Sequence, residues 1–392
     1  MNECVPVINT GLRGVEVASS KICDVKGEEG KLIYRGYLIE DLAEKSTFEE
    51  VVFLLLYERL PKKQELENFS HSLRQKRSIP DNILSFLKGL PVDMNPMDVL
   101  QAATPLLIQN DAHPHRENME SALESAEYLI AGLATITAAW ERIRNKKEVI
   151  PHDDGLNHGA NFLYMLHGEK PDEETARFFD TSLVLHAEHS FNASTFTARQ
   201  VISTRAHLYA AVSAAIGSLS GSLHGGANVR VMKMLGEIGS PDKIDAYIDA
   251  ALNAGERIMG LGHAVYKTDD PRAKLIAPMS RRMGEITEVP LWYDLTQQLE
   301  TRAKAAFKAK KQQEIFCNVD FYSASLFQSM AIPTDLFTPV FAVSRVAGWA
   351  AHVIEERFAT AAPKPSLYRP GAAYVGDYCG PDECQFVSLE HR

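Results

Sequence analysis

The chain has 392 residues, 45% of them hydrophobic, and a formal charge of −10 at pH 7, with a pI near 5.8. That length buries a large core and, at roughly 150 residues per domain, suggests two domains. The acidic balance argues against nucleic acid as the main partner, because phosphate backbones need a basic surface; an anionic substrate then requires a local cluster of arginines.

Residues 14–17 and 31–35 carry short period-2 patterns and are the strand candidates. Thr47–Pro61 reads as a helix, opened by a threonine cap and two early glutamates and closed at a proline. Ser121–Lys147 has apolar residues at helical spacing and a basic last turn that suits the helix dipole. Ala206–Gly221 is rich in Ala and Ser, which allows close helix packing, and ends in glycine. Asp335–Phe358 is apolar nearly all round and predicts deep burial. The expected class is all-α. Residues 121–225 and 335–358 read as core helices, whereas 226–334 are more charged. The expected division is a large helical domain of residues 1–225 and 335–392 and a small domain of residues 226–334, with chemistry at the seam.

The five cysteines (Cys4, Cys23, Cys317, Cys379 and Cys384) form no CxxC pair and are odd in number. That points away from a disulfide framework and towards a reducing compartment. The N-terminus lacks a basic-then-apolar signal pattern, and no apolar run approaches the roughly 20 residues of a membrane helix. The expectation is a cytoplasmic protein with no membrane partner.

Four segments gather polar residues in apolar surroundings. LHAEHSFNASTFTAR (Leu185–Arg199) holds His186, Glu188 and His189. GSLHGGAN (Gly221–Asn228) places His224 before two glycines that permit close backbone approach. GLGHAVYKTDDPRAK (Gly260–Lys274) sets His263 ahead of Lys267 and Arg272. CNVDFYSAS (Cys317–Ser325) surrounds Asp320 with apolar and aromatic neighbours. An acid so placed resists ionisation and makes a stronger base. Neutral imidazoles donate hydrogen bonds to a developing oxyanion, and Arg272, Arg345 and Arg369 are candidates to clamp carboxylates. Together they suit proton abstraction next to a carbonyl, followed by attack on a polycarboxylate. Each piece also has a plain structural reading: a helix-end histidine, a capping aspartate, an arginine answering a buried acid. The HxEH run lacks the i, i+4 pair of HExxH, so no metal is expected. GSLSG carries Leu219 where a nucleophile elbow needs serine, and GLGHAV is a broken dinucleotide fingerprint with no strand before it.

LIYRGYLIEDLAE (Leu32–Glu44), HGGAN, GHAVYKTDDPRA, NVDFYSAS and RPGAAYVG (Arg369–Gly376), in that order, resemble the citrate synthase family, which includes 2-methylcitrate synthase. The resemblance implies an almost entirely helical homodimer whose large and small domains close over a cleft. It implies condensation of acetyl-CoA with oxaloacetate, hydrolysis to citrate and CoA, and no metal or other cofactor, acetyl-CoA being a co-substrate. Asp320 resembles the base that takes the methyl proton, His224 the donor to the enol, and His263 the partner of the oxaloacetate carbonyl. His189, Arg272 and Arg345 resemble oxaloacetate contacts, and Arg369 the arginine that reaches the neighbouring subunit's site. Lys267 is expected to face a CoA phosphate, and the glycines before His263 to let the segment move as the cleft shuts. Ala264, Val229 and Gly371 depart from the family pattern, which bears on CoA affinity and on the geometry around Arg369. The alternatives are 2-methylcitrate synthesis from propionyl-CoA, a bifunctional enzyme, a silent helical scaffold, and a lyase acting on citryl-CoA.

Overall fold

Three short strands open the chain, Cys23–Lys26 (β1), Lys31–Tyr34 (β2) and Tyr37–Leu38 (β3), in a computed structural model that describes residues 10–12, 14–262, 265–374 and 386–392. They form an antiparallel meander in the order β1-β2-β3, with Val25 opposite Leu32 and Ile33 opposite Leu38. The candidate at 31–35 is β2. Residues 14–17 form no strand; Val15 instead closes a turn onto the Leu12 carbonyl.

Ten helices follow: α1 (Ile39–Lys45), α2 (Phe48–Tyr57), α3 (Lys63–Gln75), α4 (Asp81–Lys88), α5 (Pro96–Ala103), α6 (Met119–Arg144), α7 (His158–His167), α8 (Glu173–His186), α9 (Ala193–Ser203) and α10 (Leu208–Ser220). Then come α11 (Ala227–Ile238), α12 (Ile244–Ala254), α13 (Pro271–Ile286), α14 (Leu291–Lys311), α15 (Val319–Ser329) and α16 (Phe337–Phe358). The protein is all-α in class, as its sequence patterns predict.

Local chemistry explains the boundaries. Thr47 caps α2 in a full capping box: its hydroxyl accepts from the Glu50 N–H (3.3 Å), and Glu50 reaches back to the Thr47 N–H (2.9 Å). α2 stops before the expected proline because Glu58 turns left-handed. α6 starts two residues before the expected Ser121, because the Asn118 side chain accepts from the Ser121 N–H at 2.8 Å.

Trp140 of α6 and Trp349 of α16 are fully buried where these two helices pack. Against the sequence expectation, Thr334–Phe358 is long and apolar enough to cross a membrane by length and composition, but 94% of its apolar window is buried inside the protein. Neighbouring helices α6, α8, α9 and α10 cover it. Helices α11–α15 pack chiefly on one another around α15, and α11 also meets α16. The place where these two groups of helices adjoin positions the cleft.

Candidate active site

A cleft of about 350 Å³ opens where the ends of several elements converge. Its lining includes His189 and Asn192 before α9, His224 to Gly226 between α10 and α11, Ala227 and Asn228 in the first turn of α11, Arg272 and Asp320 in the first turns of α13 and α15, and Phe341 and Arg345 on α16. Five of the sequence-predicted site residues therefore meet in one place.

The HGG turn is built by close approach. A Cβ on Gly225 would lie 1.8 Å from the Leu219 carbonyl oxygen, and Gly226 has φ of +69° where α11 begins. The turn holds the His224 ring against α9, where Nε2 accepts the Ser194 backbone N–H at 3.2 Å and lies 2.8 Å from the Ser194 hydroxyl. A backbone N–H can only donate, so Nε2 is unprotonated and the proton of the neutral ring sits on Nδ1. Ser194 is held in turn by the Trp349 indole N–H (3.1 Å) and by Asn192, the cap of α9 (2.8 Å). Burial, then the nearby Arg345 charge, lowers the His224 pKa to about 4. The ring is a neutral donor at ordinary pH.

Asp320 follows Asn318, which caps α15 by accepting the Asp320 N–H at 3.1 Å. Its pKa is pushed up to about 6 by desolvation, against the pull of Arg272 and with the added push of Asp270; Arg230 and Arg345 pull it down further. Arg272 is buried and already gripped by Asp270, through Nε (3.0 Å) and Nη2 (2.7 Å). Desolvation works against that charge, but Asp270 outweighs it and holds the guanidinium above its ordinary pKa. The Nε–Nη2 edge, with which Arg272 could clamp a substrate carboxylate in bidentate fashion, is thus occupied by Asp270. Arg345 donates through Nε to the His186 carbonyl (2.7 Å) and sits over the Phe341 ring at 4.5 Å. Desolvation lowers its pKa. His189 contacts the Tyr266 hydroxyl through Nε2 at 3.3 Å.

His263 and Ala264 lie outside the described residues. The loop leading to them is tied beside Asp320: Gly262 donates to Phe316 O (2.7 Å) and Asn318 to Gly260 O (3.0 Å). Gly260 has φ of +81° and lies so near Phe321 that a Cβ would fall 2.3 Å from its ring. Lys267 does not line the cleft; its exposed ammonium pairs with Glu28 of the β1–β2 turn. Arg369 is exposed beyond α16 and is also outside the cleft. The HxEH residues diverge: His186 binds the Ser182 carbonyl (2.7 Å), Glu188 faces His352 (3.0 Å) and His189 faces Tyr266.

Sequence reasoning missed Ser194, Asn192, Asp270 and Arg230. Asn192 and Asp270 carried legible signals, an Asn-Ala-Ser-Thr cap pattern and an Asp-Pro helix start. Ser194 and Arg230 depend on which turn folds against which.

A carboxyl that resists ionisation and an imidazole kept neutral can act at the two ends of one proton transfer, while guanidiniums beside them suit a substrate bearing carboxylates. Fold and cleft together define an all-helical enzyme of acid–base chemistry. The chain belongs to the citrate synthase family, and it is an acyltransferase: the family profile described as "Citrate synthase, C-terminal domain" matches residues 11–371. A citrate synthase of Haloferax volcanii is 42% identical over 390 residues, 98% of this chain and 99% of that one. The solved citrate synthase of Pyrobaculum aerophilum has a TM-score of 0.88 at 38% identity, over 100% of this chain and 97% of that one. That of Thermoplasma acidophilum, in ternary complex with carboxymethyl coenzyme A and oxaloacetate, has a TM-score of 0.89 at 29% identity, over 98% of this chain and 100% of that one. A 2-methylcitrate synthase of Shewanella oneidensis is 37% identical over 383 residues, 96% of this chain and 97% of that one.

Proposed function

We propose that the chain condenses acetyl-CoA with oxaloacetate and hydrolyses the resulting citryl-CoA to citrate and CoA. Asp320 removes the thioester methyl proton, and the His224 Nδ1–H donates to the oxygen on which enolate charge develops. His263 polarises the oxaloacetate carbonyl. Arg345, His189 and the part of Arg272 left free by Asp270 hold the carboxylates. Charge stabilised as it forms lowers the barrier, and a closed cleft keeps water from the enol. The reaction needs no metal or prosthetic group.

The observation that carries this reading is the convergence of Asp320, raised to about 6, and His224, lowered to about 4, on one arginine-bearing cleft. In this reading residues 226–334 move as a small domain against the rest. The enzyme is a cytoplasmic homodimer, Arg369 completes the partner's site, and Lys267 exchanges Glu28 for a CoA phosphate. A second acyl donor, propionyl-CoA, is supported by the likeness to a 2-methylcitrate synthase; one methylene is worth only about 1–3 kcal/mol in a pocket. Release of free CoA thiol from either acyl-CoA, with and without oxaloacetate, tests both. The expected result is oxaloacetate-dependent release, faster with acetyl-CoA. A propionyl preference reverses the order of the two readings, and no release from folded protein removes both.

A further inference from the structure

Arg369 follows a stretch of chain that is held at very few points. Among the described residues, none of 363–367 makes a hydrogen bond, and these residues are all exposed. A cavity of about 350 Å³ lies along this stretch, bordered by Arg205, Arg357 and residues 365–367, and a smaller one of about 80 Å³ is bordered by Lys364, Ser366 and Tyr368. Tyr368 is where the chain is fastened again. Its hydroxyl donates to Glu356 Oε2 (2.8 Å), its backbone N–H donates to Ser203 Oγ (3.3 Å), and its ring meets Phe196 edge-on at 5.8 Å.

The anchor point belongs to a rigid frame. Glu356 Oε2 also accepts from Arg199 Nε (2.9 Å), and Arg199 Nη1 donates to Glu355 (2.8 Å) and to His352 Nδ1 (3.0 Å). With Nδ1 accepting, the His352 proton is on Nε2, directed at Glu188 Oε1 (3.0 Å). Glu188 is fully buried and directly precedes His189 of the cleft. A continuous buried network therefore runs from the cleft wall to the tyrosine beside Arg369.

We propose that Tyr368 is a positioning residue, whose hydrogen bond to Glu356 fixes the Arg369 segment on this frame so that the guanidinium is presented to a carboxylate of oxaloacetate in the partner subunit's cleft. The inference rests on the proposed cross-subunit role of Arg369. Without the anchor, the segment samples positions across the adjoining cavities, and ordering it is charged against substrate binding rather than against the chemical step.

The test is a double-mutant cycle of Tyr368→Phe and Arg369→Ala in the full-length protein, reading KM for oxaloacetate, KM for acetyl-CoA, kcat and thermal midpoint. Arg369→Ala is expected to raise KM for oxaloacetate by about tenfold to a hundredfold, the range for a charge-assisted contact. Tyr368→Phe is expected to raise it about fivefold, the loss of one hydrogen bond, with kcat and KM for acetyl-CoA within about twofold and the thermal midpoint unchanged. On the Arg369→Ala background, Tyr368→Phe adds nothing, because the tyrosine acts through the arginine. Ser203→Ala, which removes the second tie, moves KM for oxaloacetate in the same direction. An unaltered KM in Tyr368→Phe, or additive effects in the double variant, overturns the positioning role while leaving that of Arg369 intact. An unaltered KM in Arg369→Ala overturns the cross-subunit reading, and the inference with it.

Discussion

Asp320 occupies the first turn of α15, where the helix dipole favours an ionised carboxylate. Desolvation nonetheless carries its pKa up to about 6. A general base works only when ionised, so turnover in the proposed reaction rises with pH through about 6 and levels off above it. His224, lowered to about 4, stays neutral across that range and adds no limb of its own. A pH profile of kcat/KM checks this, and a flat profile from pH 5 to 8 removes Asp320 as the titrating base. Asp320→Asn keeps the shape but not the basicity. Steady-state assays should show activity falling about 10²- to 10⁴-fold, with a thermal midpoint at or above that of the parent, since a carboxyl that resists ionisation is replaced by an amide. Both residues were legible as motif members. What made them a pair was not: the Ser194 contact that fixes the His224 tautomer joins residues 30 apart in the chain.

Among the elements, α16 and the end of α8 cross with no room to spare. A Cβ on Gly348 would lie 2.1 Å from Glu188 Oε2 and 2.4 Å from the Ala187 carbonyl oxygen. The Gly348 N–H donates to that carbonyl at 3.1 Å. Gly348→Ala therefore pushes α16 off the segment that carries His189; urea unfolding should show about 1–3 kcal/mol of lost stability, with activity reduced. A second junction ties α2, α7 and α8. Asp180 of α8 accepts the Phe48 N–H at the start of α2 (3.0 Å), and Glu49 of α2 accepts the His158 N–H at the start of α7 (2.7 Å). Their remaining oxygens, Asp180 Oδ1 and Glu49 Oε2, are buried without a hydrogen-bond partner among the described residues. Burial, reinforced by the Glu49 charge, raises the Asp180 pKa well above the ordinary aspartate value. The folded state therefore holds a proton that the unfolded chain, titrating near about 4, gives up. That contribution to stability is complete below the unfolded value and is lost as pH rises through the folded one. Unfolding free energy should decline from pH 5 towards alkaline pH, and Asp180→Asn should flatten the decline while its amide oxygen still caps α2.

For the whole molecule, the proposed dimer makes a prediction that no single chain can satisfy. Mixed dimers of Asp320→Asn and Arg369→Ala subunits contain one site with both defects and one with neither, if Arg369 crosses to the partner. Mixing the two proteins under exchange conditions, and assaying at oxaloacetate well below the raised KM of Arg369→Ala, should restore up to a quarter of parental turnover, half the dimers being mixed and half of their sites intact. No recovery in confirmed heterodimers places Arg369 in its own subunit's function instead.

The residues that carry chemistry, the cap at Thr47, the buried helix α16 and the all-helical class were readable in the sequence because each is written locally, in spacing of apolar positions and in residues a few places apart. Tertiary structure alone decided that Lys267 turns to Glu28 and that Arg199 joins the cleft wall to the C-terminal segment. Such pairings follow from which segments, distant in sequence, are brought side by side when the helices pack. Burial and charge balance are set there, and with them the basicity of Asp320 and the neutrality of His224.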